Sequence, residues 1–259
     1  MVIGMVEIKT DASLEAMRAA GRVVARTLAT VREEAAAGVS LRSLDETARS
    51  VLREAGAGSP FLGYHPSWAP TPYPAVICAS VNDVIVHGVP GPYRLHDGDL
   101  VSIDCGAVLG GWVGDSAISF TVGRARPDDL RLIDTADRAL AAGIAAAVVG
   151  NRVGDIAHAV GRVCRAAGYG IPHGFGGHGV GRRMHEDPGV PNEGRAGRGV
   201  LLRHGMVLAI EPMLTGSGTD RHFTARDGWT VRTLDASRAA HAEHTVAITD
   251  GGPRVLTAL

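Results

Sequence analysis

VSIDCGAVLGGWVGDSAISF, Val101 to Phe120, decides how the chain folds, because it reads as two strands joined by a tight turn with an aspartate in each. Apolar residues alternate through Val101, Ile103 and Cys105 and again through Trp112, Ile118 and Phe120. Leu109-Gly110-Gly111 between the runs completes the pattern of a β-hairpin. With Leu109 and Gly110 at the centre of the turn, Asp104 and Asp115 face each other on one side, Cβ atoms about 4.5 to 5.5 Å apart. A register one pair along leaves them diagonal, still within reach of a shared ion. A lone strand aspartate is more often a solvated edge residue, but two like charges opposed in a half-buried sheet are destabilising unless a cation sits between them. No Lys or Arg lies between Leu95 and Val122 to supply one. A metal is the economical answer.

Outward from the hairpin, helices precede strands twice. From Thr10, an N-cap, Leu14, Met17, Gly21, Val24, Leu28 and Val31 recur at helical spacing as one apolar stripe that ends near Gly38. Ser43-Leu44-Asp45-Glu46 is a capping-box pattern opening a second helix that closes at Gly56. Pro127 to Gly150 gives another long alanine-rich helix. GNRVGDIAHAVGRVCRAAGYG then aligns without gaps on GVSLRSLDETARSVLREAGAG at an offset of 112 residues, with Asp155 answering Ser43 as the cap. Alanine-rich helices with glycine ends look alike. The recurrence of Gly38, Val51, Arg53, Ala55, Gly56 and Gly58 as Gly150, Val163, Arg165, Ala167, Gly168 and Gly170 nevertheless points to an internal duplication. The chain is expected to be one catalytic domain, residues 1–259, with halves of approximately 1–125 and 126–259.

Strand-like segments follow each helical pair: Ala75 to Val81, Asp83 to His87, Leu100 to Ala107 and Trp112 to Val122, then Met206 to Ile210, the Gly228 to Arg232 region and His244 to Thr249. Helices followed by strands suggest an α+β fold with a mostly antiparallel sheet, helices on one face and a cleft on the other. The glycine-rich GFGGHGVG, Gly174 to Gly181, lacks the lysine and Ser/Thr ending of a phosphate loop.

Further candidate ligands lie in the second half. His178 and His185 sit in GGHGVGRRMHEDP among small residues that let backbone and ligand approach closely. Glu211 ends an apolar strand in MVLAIEPML, and Glu243 opens the last strand in AEHTVAI. Two Asp, two Glu and a His form a ligand set, with four carboxylate charges matched by two divalent cations. Oxygen-rich coordination with an imidazole suits Mn²⁺, Fe²⁺, Co²⁺ or Zn²⁺, and the lack of thiolates argues against a structural zinc. Two such ions sharing a water give a hydroxide nucleophile near neutral pH, which is hydrolytic machinery.

Composition narrows the class. With 26 basic against 27 acidic residues there is no electrostatic footprint for nucleic acid or an anionic membrane, and Arg182-Arg183 reads as a solvated pair. Cys78, Cys105 and Cys164 have apolar neighbours, which suits buried thiols in a reducing compartment. The amino terminus MVIGMVEIKT lacks the features of a signal peptide, and the apolar run Ala139 to Val149 is too short to span a bilayer. A cytoplasmic protein is expected.

NDVIVHGVP (Asn82 to Pro90), the Asp104/Asp115 pair at a spacing of eleven, GHGVGRRMHEDP (Gly177 to Pro188), IEPM (Ile210 to Met213), DGWTV (Asp227 to Val231) and EHT (Glu243 to Thr245) together resemble the type 1 methionine aminopeptidases of the pita-bread metallopeptidase fold. The resemblance implies two pseudo-twofold-related halves with helices outside an antiparallel sheet. It implies that Asp104, Asp115, His178, Glu211 and Glu243 hold two divalent ions (Co²⁺, Mn²⁺, Fe²⁺ or Zn²⁺), Asp115 and Glu243 bridging. It also implies that His87 and His185 contact substrate near the scissile bond, that Glu211 relays a proton, and that Asp104 helps receive the free N-terminus. Tyr64, Cys78, Met184 and Trp229 would line the methionine pocket. The implied reaction is removal of initiator methionine from nascent polypeptides with a small second residue, by a monomer working near the ribosome. The chain departs from the family at Gly63 to Pro74, which is longer than the usual short turn, and at Phe61, where a small residue is common. Only 25 residues separate His185 from Glu211, too few for the helical insertion of type 2 enzymes. A prolidase or aminopeptidase P relative, and a metal-free binding protein on the same fold, are the alternatives.

Overall fold

The computed structural model describes residues 6–259, so the reading of the amino terminus over residues 1–5 lies outside the described residues. Thr10 caps α1 (Asp11–Glu34) by accepting the Ser13 N–H, and the buried face of α1 is the expected stripe from Leu14 to Val31. The helix ends at Glu34 rather than near Gly38. The chain turns extended at Ala35, and Gly38 and Val39 bond their backbone to Leu95 instead.

In α2 (Leu41–Glu54) the cap is Ser40, not Ser43: Ser40 Oγ accepts the Ser43 N–H at 3.1 Å. The capping-box pattern at Ser43 loses to a backbone that is already committed one turn earlier, where the Leu41 N–H bonds to Tyr93. After α3 (Pro127–Ala146), α4 (Val153–Ala166) begins and ends 112 positions after α2, Leu41 answering Val153 and Glu54 answering Ala166. Asp155 is likewise not the cap. It stands at the third helical position and accepts the N–H of Arg152, which is the cap, at 2.7 Å.

The strands are β1 (Ile77–Val81), β2 (Val84–Val86), β3 (Leu100–Leu109), β4 (Trp112–Thr121), β5 (Gly176–Gly179), β6 (Glu186–Pro191) and β7 (Val207–Ile210). Then follow β8 (Met213–Thr215), β9 (His222–Thr224), β10 (Val231–Thr233), β11 (Ala239–His241), β12 (Glu243–Thr249) and β13 (Gly252–Val255). The main sheet runs β1-β3-β4-β12-β7-β5-β6, with β13 on β12, and its pairings are antiparallel. Two small ribbons, β2-β10-β9 and β11-β8, complete the strands.

The helices pack on one side of this sheet in two matching layers. Val24, Leu28 and Val31 of α1 and Leu44, Ala48 and Leu52 of α2 share a core with Ile77, Ile103 and Cys105. Leu132, Ala136 and Leu140 of α3 and Ile156, Val160 and Cys164 of α4 share one with Leu208, Ile210 and Val246. The three cysteines are free and buried. Among the described residues no helix is long and apolar enough to cross a membrane.

The hairpin itself corrects one expectation. Its central turn residues are Gly110 (φ 58°) and Gly111 (φ 76°), so Leu109 pairs with Trp112, Asp104 with Ala117 and Asp115 with Gly106. A two-residue turn that matches strand twist needs positive φ at both central positions, which two glycines supply and leucine does not. The aspartates are therefore diagonal neighbours on one face. Arg182 is more than half of a solvated pair: its guanidinium lies 3.8 Å over the Trp112 ring and donates to the carbonyls of Gly110 and Gly111.

Candidate metal centre

Strand alternation sorts the hairpin into two chemistries. Ile103 and Cys105 point toward the helices, so Asp104 between them points to the opposite face. Ala117 pairs with Asp104 on one side and with Glu243 on the other, which sets these carboxylates in one row across β3, β4 and β12. His244 pairs with Ile210, so carrying that register on by one residue brings Glu211 beside Glu243. β5 adds His178. Its neighbour Gly177 must be glycine, since a Cβ there would stand 2.0 Å from the Ala209 carbonyl oxygen.

The five predicted ligands thus come together. Asp115, His178 and Glu243 offer ligand atoms all within 4.8 Å of one another. His178 Nε2 lies 4.0 Å from Asp115 Oδ2 and 3.7 Å from Glu211 Oε1. His178 Nδ1 is 2.9 Å from the Gly179 carbonyl oxygen, an acceptor only, so Nδ1 carries the proton and Nε2 presents a lone pair to the carboxylates.

The electrostatics of this cluster favour a cation. Asp104 Oδ1, Asp115 Oδ1 and Glu243 Oε1 are sealed from solvent without a hydrogen-bond partner among the described residues. Burial drives the Asp115 and Glu243 carboxyls well above the usual carboxylate range, and mutual repulsion adds to it. Burial also lifts Asp104 to about 7, with the Glu211 charge adding to the rise and His241 opposing it. Orphaned, desolvated carboxylates with one oriented imidazole are the donor set that a hard or borderline divalent ion requires.

One consequence is measurable. Ligation needs the ionised carboxylate, so titrating metal-free protein with Mn²⁺ or Zn²⁺ at pH 6 should release at least about one proton per chain, a quantity that shrinks above pH 8. Calorimetry in buffers of different ionisation enthalpy reads it. In the metal-free chain the sign is reversed for stability. Because the folded value of Asp104 lies above its ordinary 3.8, its stabilising contribution is present at low pH and lost as pH rises through about 7. Metal binding that releases no protons at pH 6 would contradict the ligand role of Asp104.

The carboxylates floor a cavity of about 320 Å³ walled by Tyr64, Cys78, Met184 and Trp229, the four predicted pocket residues. Tyr73 and Phe61 join the wall, so both tyrosines of the proline-rich loop reach the cavity. Cys78 pairs with Asp104 across β1 and β3. Its thiol is pushed well up by burial and is therefore a neutral, polarizable surface. Tyr73 is buried and its hydroxyl contacts the Ile77 and Gly88 carbonyls at 3.0 Å each, which ties the loop to the strand behind the pocket.

His87 follows β2 with φ 58°, a conformation costly for a residue with a Cβ, and it lines the same cavity. Removal from water lowers its pKa to about 4, so the ring is neutral at physiological pH. His185 stands at the mouth with its ring 4.3 Å from that of His178. Desolvation is the main cause that lowers its pKa to about 4 as well. Both predicted substrate-contacting histidines are therefore at the cavity.

Two residues at this site have no counterpart in the sequence reading. Trp68 lines the cavity beside His87, 60% exposed, its ring 5.0 Å from Trp229. It lies in the Gly63 to Pro74 loop, whose length was the only signal. His241 lies behind Glu211, its Nε2 3.4 Å from Glu211 Oε2, in a segment whose only signal was a second histidine two residues before Glu243.

The chain also matches known proteins along most of its length. The model of Metallopeptidase family M24 matches residues 15–250. Methionine aminopeptidase 1 of Mycobacterium tuberculosis is 56% identical over 256 residues, covering 96% of this chain and 94% of that one. Methionine aminopeptidase of Clostridium acetobutylicum is 44% identical over 98% of this chain and 99% of its own. The crystal structure of methionine aminopeptidase from Thermotoga maritima superposes with a TM-score of 0.94 at 37% identity, covering 98% of this chain and all of that one.

Proposed function

The chain belongs to metallopeptidase family M24, and from that premise we propose that it is a methionine aminopeptidase of the type 1, pita-bread kind, which removes N-terminal methionine from polypeptides with a small second residue. The observation that carries this reading is the junction of two features in one cavity: a carboxylate and imidazole cluster at its floor, and a wall of Cys78, Met184 and Trp229 fitted to a thioether.

In this reading Asp104, Asp115, His178, Glu211 and Glu243 would hold two divalent ions, Co²⁺, Mn²⁺, Fe²⁺ or Zn²⁺. Ions held there would supply Lewis-acid chemistry: a water acidified to a nucleophile near neutral pH and a polarised scissile carbonyl. The remaining work falls to the chain. The neutral His87 and His185 rings donate hydrogen bonds to the carbonyl oxygen as its charge grows, or to the leaving amine. Glu211 passes a proton to that amine. Asp104 helps receive the free α-amino group, and Tyr64, Cys78, Met184 and Trp229 exclude water around the methionine side chain.

The whole chain acts as one catalytic domain of two similar halves, a cytoplasmic monomer whose substrates are nascent polypeptide N-termini presented near the ribosome. The test is turnover of Met-Ala-Ser against Ala-Pro and Xaa-Pro peptides after chelation and metal readdition. Cleavage of Met-Ala-Ser, lost on chelation and restored by metal, is expected. Hydrolysis of proline peptides alone would assign the chain a prolidase-like activity, and no hydrolysis with any metal would make it a binding protein.

A further inference from the structure

Glu211 has an imidazole on each side, and only one of them belongs to the ligand set above. His241 ends β11 and is 2% exposed. Its backbone is fixed in both directions by Ser119, whose hydroxyl accepts the His241 N–H at 3.0 Å and donates to the His241 carbonyl at 2.7 Å. Pairing with Met213 on β8 holds the residue from the other edge. The ring therefore has little freedom to turn away from the cluster.

Nε2 of His241 is sealed from solvent and has no hydrogen-bond partner among the described residues. It lies 3.4 Å from Glu211 Oε2 and 4.0 Å from Glu243 Oε2. A charge-assisted N–H···O⁻ hydrogen bond is shorter, about 2.7 to 2.9 Å. Two donors on one ion with bonds near 2.1 Å stand about 3.0 Å apart when adjacent and about 4.2 Å when opposite. His178 has the same relation to its own carboxylates, 3.7 Å from Glu211 Oε1 and 4.0 Å from Asp115 Oδ2. Two triads result, Asp115–His178–Glu243 and Glu211–His241–Glu243, and they share Glu243.

We propose that His241 is a metal ligand: through Nε2, beside Glu211 and Glu243, it adds a second imidazole to the five side chains that hold the ion pair. The inference rests on the two-ion reading of the site and adds to it a second nitrogen donor. A second nitrogen donor shifts the pair toward Co²⁺, Fe²⁺ or Zn²⁺ and away from Mn²⁺.

Co²⁺ alone, added to the metal-free full-length protein, provides the test. Each imidazole bound to Co²⁺ contributes a strongly shifted proton resonance that disappears in D₂O, from the ring nitrogen opposite the metal. The wild-type chain at two equivalents is expected to give two such resonances, one absent in His178→Asn and the other absent in His241→Asn. Calorimetry should show one Co²⁺ step weakened at least about tenfold in His241→Asn with the other retained. A single exchangeable resonance in the wild-type chain, unchanged by His241→Asn, would overturn the proposal. The wild-type spectrum decides by itself if the variant does not fold, as judged by circular dichroism. Two resonances from a protein that leaves Met-Ala-Ser intact would uphold the ligand assignment and remove the peptidase reading. No Co²⁺ binding at all would remove both.

Discussion

Asp115→Asn is expected to lower kcat/KM for Met-Ala-Ser by about a thousandfold or more, since a carboxylate shared by two ions supports several kcal/mol of transition-state stabilisation. The same change should leave the metal-free protein as stable as before or more stable. Asp115 is 4% exposed, its Oδ1 has no partner, and Asp104 and Glu211 repel its charge. Exchanging such a group for a neutral one of the same shape removes the cost of desolvating a charge, so the expected direction is neutral to stabilising. Thermal melts with and without metal separate the two effects. The variant should melt at or above the wild-type temperature without metal and should lose most of the rise that metal gives the wild type. A marked loss of stability in the metal-free state would mean that the aspartate serves the fold and not an ion.

His87→Ala carries the second large effect. A neutral donor aimed at a developing oxyanion contributes about 10² to 10³ in kcat, and its removal should leave metal affinity and KM close to wild type. His87 contacts no metal-holding carboxylate closely enough to form an ion pair, and its immediate neighbours are the rings of Phe175, Trp229 and Trp68. Its backbone at φ 58° also predicts that His87→Asn, a residue tolerant of that conformation, is at least as stable as His87→Ala. Steady-state kinetics beside metal titration read both. A fall in kcat that simply tracks weaker metal binding would place His87 among the groups that build the centre instead of those that meet the substrate.

Much of the architecture is legible in the sequence because burial imposes periodicity. The stripe of α1 and the alternation of β3 and β4 appear as written, since each has one face against a core. Where local chemistry competes with the backbone, the reading slips. The hairpin centre falls at Gly110-Gly111 because dihedral sign, not hydrophobic alternation, fixes a two-residue turn. Strand β2 is trimmed to Val84–Val86, its flanks Asn82 and His87 both at positive φ.

The glycine-rich β5 and the proline-bearing β6 carry no alternating pattern, so the strand that presents His178 is invisible until its partner β7 is in place. Carboxylates announced themselves because an acid among apolar neighbours is conspicuous. His241 did not, since it lies ahead of the strand read from Glu243, in a segment without alternation, where the chain breaks at Ala242 and gives β11 to the β8 ribbon and β12 to the main sheet. Trp68 was hidden for another reason. Its place at the cavity depends on Trp229 Nε1 bonding to the Thr71 carbonyl across 158 positions, and on Gly228 admitting Pro70.

The central claim is that side chains from β3, β4, β5, the end of β7 and the start of β12 converge on two ions. Anomalous diffraction from crystals grown with Mn²⁺ or Zn²⁺ tests it most directly. Two strong peaks are expected, bounded by Asp104, Asp115, His178, Glu211 and Glu243 and sharing Asp115 and Glu243. Peaks elsewhere, or none at this cluster in protein that still hydrolyses Met-Ala-Ser, would contradict it.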